Sequence, residues 1–333
     1  RQAGLDRDLV IKKMKPAFSA EKPHREKFLS EAVIQGTLEH PNIVPVYDLA
    51  EDECGDPFYA MRRVYGQPWS EAIGSKTEEE NIDILIRVAD AVAFAHAKGI
   101  LHQDLKPANV MLGDYGEVLL TDWGLAAAYN RREKRVEGHV PSGGTPAYLP
   151  PEMAKQDPAH IGPGTDVYML GAILYEIRIG HPPHAGQSIQ ECVTKAAANA
   201  ITGWPAGKGS GELVDIAVKA MATDPADRYV DVKAFQRAIT SYRHHTESTR
   251  LCAKARDHLR EAEKREDYEQ YVHALFAFRN AVELWEDNRE AVDGVSEARL
   301  AYAQCACRKA DFDLAVSALD ASDPRHQHCL ARA

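Results

Sequence analysis

The sequence predicts an α+β protein: a mixed first part, a mainly helical middle and a separate helical end. An aliphatic and β-branched run at 8–15 stops before Pro16, as a short strand does. A helical pattern follows at 24–39. Two more strand-like runs, 43–49 and 58–64, flank a turn rich in Asp, Glu, Gly and Pro. These elements predict a small sheet with a hairpin and one helix.

Helices dominate the middle of the chain. Residues 78–98 carry apolar side chains at helical spacing, and Gly99 follows where a C-terminal cap is expected. Further helical patterns occur at 165–180, 212–222 and 231–243. The chain after Gly99 and before these patterns is predicted to be rich in loops.

Length and composition predict two domains. A chain of 333 residues is long for one core, since domains hold roughly 150 residues each. After residue 243, Ala, Glu, Arg and Lys become common while Gly and Pro become rare, which is typical of a helical unit. We therefore expect domains at 1–242 and 243–333.

Charge and cysteine usage exclude several classes of protein. A net charge of -10 argues against nucleic acid as a partner, because that binding needs clustered Lys and Arg. Six cysteines are too few for a disulfide scaffold, and Cys305 and Cys307 lack zinc-site spacing, so we expect reduced thiols and a cytoplasmic location. No apolar run reaches the roughly 18 residues of a membrane span.

Two segments carry side chains suited to phosphoryl transfer. That chemistry needs a cation for the phosphates, oxygen ligands for Mg²⁺ and a carboxylate for the attacking hydroxyl. The segment His102-Gln-Asp-Leu-Lys-Pro-Ala-Asn109 holds an Asp and an Asn with a Lys between them. Further on, Thr121-Asp-Trp-Gly124 places a second Asp before a flexible Gly.

These segments resemble the protein kinase superfamily, and the likeness extends from residue 1 to about 243. The run from His102 to Asn109 is similar to the catalytic loop, and the segment at Asp122 is similar to the magnesium loop. The run ending at Lys12 resembles the strand with the ATP lysine. The sequence is most similar to bacterial, planctomycete-like serine/threonine kinases that carry C-terminal helices resembling tetratricopeptide repeats.

Later segments resemble the family as well. The segment from Gly144 to Glu152 is similar to the end of the activation segment, and the segment at Asp166 resembles the buried helix that anchors the catalytic loop. Arg228 matches the late arginine that pairs with Glu152. The resemblance implies a bilobal fold, with a β-rich lobe ahead of an α-rich lobe, and a buried Glu152–Arg228 ion pair.

The resemblance also implies what the loop residues do. Asp104 would orient the hydroxyl of a protein substrate, and Lys106 would neutralise charge on the transferring phosphoryl group. Asn109 and Asp122 would hold Mg²⁺. Lys106, together with Thr145, favours Ser and Thr hydroxyls as acceptors.

ATP is expected to meet residues from the first part of the chain. Lys12 would grip its α and β phosphates, held in place by Glu31 within salt-bridge reach. Lys13 competes for this role, but adjacent strand residues face opposite sides, so only one enters the cleft. We prefer Lys12, because it follows Leu-Val-Ile directly. Met61 falls at the gatekeeper position, and Val64 in the following hinge would meet adenine.

The sequence departs from the family at several points. Gln103 replaces the arginine that a phosphorylated activation loop would engage, which argues against that contact, and Trp123 replaces a phenylalanine. Only eleven residues precede Lys12, so the glycine-rich loop either lies upstream of this sequence, which we favour, or is lacking from the protein. These 333 residues alone are expected to bind ATP weakly. The basic stretch 131–135 could select acidic substrates or be an ordinary solvated surface.

The helical end predicts a repeat-like unit. Asp267-Tyr268 and Asp311-Phe312 resemble tetratricopeptide repeats, although they lie 44 residues apart and the repeat is nearer about 34. Such helices could bind a protein partner, or they could simply brace the kinase domain. For the whole chain we expect an ATP- and Mg²⁺-dependent Ser/Thr protein kinase. The alternative is a pseudokinase scaffold that binds partners through this end.

Overall fold

The computed structural model describes residues 7–15, 18, 21–137, 143–203 and 211–331. The chain forms two compact units, Arg1–Ala238 and Ile239–Ala333. The first unit combines small antiparallel sheets with helices, and the second is helical, so the predicted α+β class is confirmed. The domain boundary at 242 stays a prediction.

The first sheet has three antiparallel strands in the order β1–β3–β2. They are β1 Leu9–Lys13, β2 Val46–Glu51 and β3 Pro57–Arg62, so the predicted hairpin is confirmed. The predicted start of β2 was too early, because Ile43 forms a bridge to Leu120 instead of joining this sheet. The stop expected at Pro16 lies outside the described residues.

Helix α1, Lys22–Thr37, packs against the first sheet. Its buried face repeats at helical spacing and consists of Phe28, Glu31, Ala32 and Gln35. Phe28 and Ala32 share an apolar cluster with Met14 and Tyr59, while the carboxylate of Glu31 is carried to the edge of that cluster. The apolar neighbours of Glu31 thereby hold its carboxylate at the surface of the first sheet.

Helix α2, Trp69–Ala72, and helix α3, Glu78–Ala97, follow the first sheet. The Thr77 hydroxyl accepts from the Glu80 amide, and the Glu80 side chain accepts from the Thr77 amide, which together cap the start of α3. Gly99 has φ +75°, the left-handed conformation expected just after a helix end. The predicted helix at 78–98 is confirmed.

Two further small sheets form where the sequence predicts loops. One contains β4 Gly66–Pro68, β6 Val110–Gly113 and β7 Val118–Leu120, and the other contains β5 Ile100–Leu101, β8 Ala127–Asn130 and β9 Arg135–Val136. Strands of two to four residues are too short to show an alternating pattern, so tertiary packing decides them.

The first unit contains further helices beyond α3. They are α4 Pro151–Ala154, α5 Pro163–Ile179, α6 Ile189–Ala197 and α7 Glu212–Ala220. An unbroken run of α5 residues from Thr165 to Tyr175 is buried, so the helix is enclosed on all sides. This enclosure explains why Asp166, at the start of that run, is shielded from water.

The described part of the second unit is helical, and its first helix begins in the first unit. The helices are α8 Val232–Arg265, α9 Tyr268–Leu284, α10 Arg289–Arg308, α11 Phe312–Ala318 and α12 Gln327–Leu330. Helix α8 continues past the predicted end at 243, because no Gly or Pro interrupts it. No helix among the described residues has both the length and the apolar content to cross a bilayer.

Close helix contact in the second unit depends on Gly294. A Cβ at this position would lie 2.3 Å from the ring of Phe278, closer than any real contact, so α10 meets α9 only with glycine here. Asp267 and Asp311 cap α9 and α11 through their side chains. The resemblance to tetratricopeptide repeats stays a prediction.

The expected ion pair between Glu152 and Arg228 is confirmed. Arg228 Nη1 and Nη2 each lie 2.8 Å from an oxygen of the Glu152 carboxylate, and both side chains are buried. Arg228 also donates to the carbonyl of Gly164 at 2.8 Å, and Thr165 donates to Glu152 at 3.0 Å. The pair therefore connects α4 with the start of α5.

We expect Arg228→Ala to lower the free energy of unfolding by roughly 3 to 5 kcal/mol, because it leaves the buried Glu152 charge unpaired. Arg178→Ala is the matched control, since it removes a half-exposed pair with Glu78 that is worth about 1 kcal/mol or less. Chemical denaturation followed by circular dichroism measures both. Equal losses in the two variants would contradict this account.

Candidate active site

The segment at 102–104 is held by the buried carboxylate of Asp166. Its Oδ1 accepts the Gln103 amide at 2.8 Å, and its Oδ2 accepts the His102 amide at 2.9 Å and bonds His96 Nε2 at 2.7 Å. Burial raises the pKa of Asp166, but its hydrogen bonds and electrostatic interactions with His96 and His102 together outweigh that effect, so the pKa is lowered. An ionised Asp166 therefore fixes the backbone that leads into Asp104.

Asp104 lies at the centre of a hydrogen-bonded cluster. Its Oδ1 accepts from the amide and the hydroxyl of Thr145, both at 3.0 Å. Its Oδ2 accepts from Lys106 Nζ at 2.7 Å and Asn109 Nδ2 at 3.1 Å. Lys106 Nζ also donates to Thr145 Oγ1 at 2.6 Å. The structure thus brings three predicted site residues together and adds Thr145, which the sequence indicated only as a marker of the acceptor hydroxyl.

Asp122 is tied to this cluster through the backbone. The carbonyl of Asn109 accepts from both the amide and the hydroxyl of Thr121, each at 2.9 Å. Asp122 follows directly, with φ +61° and a half-exposed side chain. The left-handed backbone turns the chain sharply at Asp122. The two hydrogen bonds from Thr121 hold the segment that carries Asp122 beside the one that carries Asn109.

Lys12 and Glu31 form the expected pair. Lys12 Nζ lies 2.5 Å from Glu31 Oε1 and 3.8 Å from Asp122 Oδ1. A Cβ at Gly124 would lie 3.2 Å from Asp122 Oδ1 and 3.3 Å from Glu31 Oε2, so a larger residue would crowd both carboxylates. The cation of β1 therefore meets carboxylates from α1 and from the segment after β7.

Lys12, and not Lys13, meets Glu31, while the role of Lys12 toward ATP stays a prediction. Lys12 is opposite Tyr59 in the strand register, on the face that meets α1. Lys13 is on the other face and forms an ion pair with Asp52. Only Lys12 can reach Glu31 without disturbing the strand.

Met61 and Val64 belong to the apolar side of the region. Met61, at the end of β3, is partly buried and packs on the cluster of Met14, Phe28 and Tyr59. Val64 is partly buried in the connection between β3 and β4. Neither joins the polar contacts described above, so their roles toward adenine stay predictions.

His102 and Trp123 form a buried aromatic layer behind the polar cluster. Their ring centroids are 4.6 Å apart, and burial lowers the pKa of His102, so its ring is neutral. His102 Nδ1 accepts the Asp104 amide at 3.3 Å, which leaves Nε2 as the donor to the Thr121 carbonyl at 3.3 Å.

Gln103 adopts φ +64° and is fully buried. Neither its Oε1 nor its Nε2 has a hydrogen-bond partner among the described residues. An amide in this position has no positive charge and no exposed surface with which to receive a phosphate group. This side chain therefore does not provide the contact to a phosphorylated activation loop that the sequence argued against.

One polar neighbour of the site was not predicted. The Tyr59 hydroxyl donates to Glu31 Oε1 at 2.8 Å from inside the first sheet. Two features of the sequence could have indicated this contact. Tyr59 lies two residues before Met61, so both side chains are on one face of the strand, and a buried tyrosine hydroxyl needs a hydrogen-bond partner.

Comparison with known proteins agrees with this geometry. The protein kinase domain family matches residues 2–240. The serine/threonine-protein kinase PknD of Protochlamydia amoebophila is 30% identical over 271 residues, covering 71% of this chain and 27% of that protein. A probable serine/threonine-protein kinase PknB of Corynebacterium glutamicum is 33% identical, covering 68% and 36%. The serine/threonine-protein kinase PknB of Mycobacterium tuberculosis is 31% identical, covering 69% and 38%.

The chain therefore belongs to the protein kinase family, and it spans about a quarter to two fifths of the length of these relatives. Members of this family use ATP and a divalent metal. The donor set here fits such use, because the Asp122 carboxylate is half exposed and the side-chain oxygen of Asn109, Oδ1, accepts no hydrogen bond from the described residues.

We expect Gln103→Met to leave the free energy of unfolding unchanged or to raise it, because an unpaired buried amide costs about 1 to 3 kcal/mol. Gln35→Met is the matched control. It removes an equally buried amide that donates to the Val44 carbonyl at 2.8 Å, so stability should fall. Thermal unfolding measures both, and a similar loss in the two variants would show that Gln103 has a partner.

Proposed function

We propose that the protein is a serine/threonine protein kinase that transfers the γ-phosphate of ATP to Ser and Thr hydroxyls of protein substrates. The observation that carries this proposal is the joint placement of Asp104, Lys106 and Asn109 in one cluster, tied through the backbone to Asp122 and the Lys12 pair. The names of the relatives support the same activity. The complete polar set favours an enzyme over a pseudokinase scaffold.

Asp104 is proposed to receive the acceptor hydroxyl. Its carboxylate already accepts from Thr145, Lys106 and Asn109, which fills most of its acceptor capacity and fixes its rotation. A substrate hydroxyl therefore binds by displacing one of these donors. The oriented carboxylate then takes the hydroxyl proton as the oxygen attacks the γ-phosphorus of ATP, whose bond to the β,γ-bridging oxygen breaks so that ADP leaves.

Two lysines are proposed to stabilise negative charge on the phosphates. Lys106, 2.7 Å from Asp104 Oδ2, lies where charge develops on the transferring group. Lys12 is proposed to hold the α and β phosphates while Glu31 keeps it in position. Charges fixed before substrate arrives need no reorganisation during the reaction.

Asn109 and Asp122 are proposed to hold Mg²⁺. Among the described residues, no group of three His, Cys, Asp or Glu side chains could hold a metal alone. Magnesium suits such a sparse set, because it keeps several waters and shares its remaining positions with phosphate oxygens. The bound ion would neutralise phosphate charge.

Specificity and partners are proposed from the same residues. Lys106 and Thr145 meet beside Asp104, an arrangement that we assign to Ser and Thr acceptors. Met61 and Val64 are proposed to contact adenine. A protein partner for helices α9 to α11 remains a proposal from their repeat-like sequence.

We expect Asp104→Ala in the full-length protein to lower kcat roughly 10²- to 10⁴-fold, because it removes the group that orients the hydroxyl and takes its proton. Asp215→Ala, at an exposed position of α7, is the control and should keep wild-type activity. Transfer of labelled γ-phosphate to a mixed protein substrate, with and without Mg²⁺, measures this. The label should appear on Ser and Thr.

Absence of transfer by the wild-type protein with Mg²⁺ and ATP would contradict the enzyme assignment. Label on Tyr alone would contradict the acceptor class.

A further inference from the structure

A tyrosine hydroxyl lies inside the first sheet beside the lysine–glutamate pair. Tyr59 is 1% exposed, and its hydroxyl donates to Glu31 Oε1 at 2.8 Å. Glu31 is itself buried on α1, where water cannot readily replace a lost donor. The hydrogen bond therefore ties β3 to α1 at the carboxylate that meets Lys12.

The same carboxylate oxygen receives both donors. Lys12 Nζ lies 2.5 Å from Glu31 Oε1, and Lys12 is opposite Tyr59 in the strand register. The lysine nitrogen also lies 5.9 Å from the centroid of the Tyr59 ring. Two neighbouring strands thus aim one neutral and one charged donor at a single oxygen.

Packing explains the Tyr59 ring but not its hydroxyl. The ring lies 5.4 Å from that of Phe28, in an apolar cluster that phenylalanine would fill as well. A hydroxyl in this position needs a partner, and Glu31 supplies one. Burial and the negative charge of Glu31 raise the pKa of Tyr59, so the hydroxyl keeps its proton and remains a donor.

A second donor restricts how the Glu31 carboxylate can rotate. With Lys12 alone, the flexible lysine and the glutamate could move together, since each has several rotatable bonds. Tyr59 has a short, packed side chain that fixes its hydroxyl relative to β3. The position of Glu31, and through it that of Lys12, is then set by the sheet.

We propose that Tyr59 is a positioning residue that holds Glu31 in the orientation that receives Lys12, and thereby prepares Lys12 for nucleotide phosphates. This inference rests on the proposed function for its consequence, nucleotide binding. Tyr59 itself does not touch substrate. Its effect is predicted to reach the nucleotide only through Glu31 and Lys12.

The test compares wild type and Tyr59→Phe in the full-length protein. We expect the Kd for ADP with Mg²⁺ and the KM for ATP to rise roughly 5- to 30-fold, since a buried hydrogen bond to a charged group is lost. The kcat should change much less, because contacts to the α and β phosphates persist from bound substrate to product. Calorimetry gives the Kd, and initial rates give the KM and kcat.

Tyr148→Phe is the matched control. Tyr148 also donates to a carboxylate, Glu176 Oε2 at 2.7 Å, but in the helical part of the first unit. This variant should keep the wild-type Kd for ADP. A similar rise in both variants would assign the effect to general destabilisation and overturn the proposal.

A double-mutant cycle decides whether Tyr59 acts through Glu31. In a Glu31→Gln background, Tyr59→Phe should change the Kd by less than about twofold, because the carboxylate that it positions is gone. An undiminished effect in that background would show that Tyr59 acts through packing alone. An unchanged Kd in the single variant would also overturn the proposal.

Hydrogen exchange of α1 separates this inference from the proposed function. The α1 amides should exchange faster in Tyr59→Phe than in wild type or Tyr148→Phe, and this measurement needs no nucleotide.

A wild-type protein that binds ADP but transfers no phosphate would contradict only the enzyme assignment, and the comparison of Kd values would still decide whether Tyr59 has the proposed role. If wild type binds no nucleotide, unchanged α1 exchange overturns the inference, and faster exchange that disappears in the Glu31→Gln background supports it.

Discussion

A single buried carboxylate sets the geometry of the loop at residues 102–109, which carries Asp104, Lys106 and Asn109. Asp166 lies in the buried part of α5, and its two oxygens accept hydrogen bonds from the backbone amides of His102 and Gln103 and bond the His96 ring. A buried charge without hydrogen-bond donors would cost much free energy, so the Asp166 carboxylate needs all of these donors. The loop is held in a left-handed turn at Gln103 that it would not otherwise favour.

From this anchor the site extends through short, direct contacts. Asp104 is held by Lys106 and Thr145, while the backbone of Asn109 holds the segment that carries Asp122. Hydrogen bonds and ion pairs with distances of 2.5 to 3.8 Å thus connect Asp166 on α5 to Lys12 on β1. Such preorganisation is what phosphoryl transfer requires, because the protein contributes mainly position and charge.

The fold class and the spacing of the polar residues could be predicted because both are local in sequence. Strand alternation showed that Lys12 and Lys13 face opposite sides, the aliphatic run directly before Lys12 favoured that lysine, and a fixed spacing placed Asp104 near Asn109. The two- to four-residue strands and the Tyr59 bond to Glu31 could not be predicted in this way. They depend on which segments tertiary packing brings together, and a short element or a lone tyrosine carries little periodic signal.

The most direct test of the central claim is the kcat of the full-length Asp166→Asn variant. Asparagine keeps the shape but presents an N–H group to one of the backbone amides, so the loop should shift while the protein stays folded. The account predicts a loss in kcat of about 10²-fold with little change in the Kd for ADP. A folded variant with wild-type kcat would contradict it.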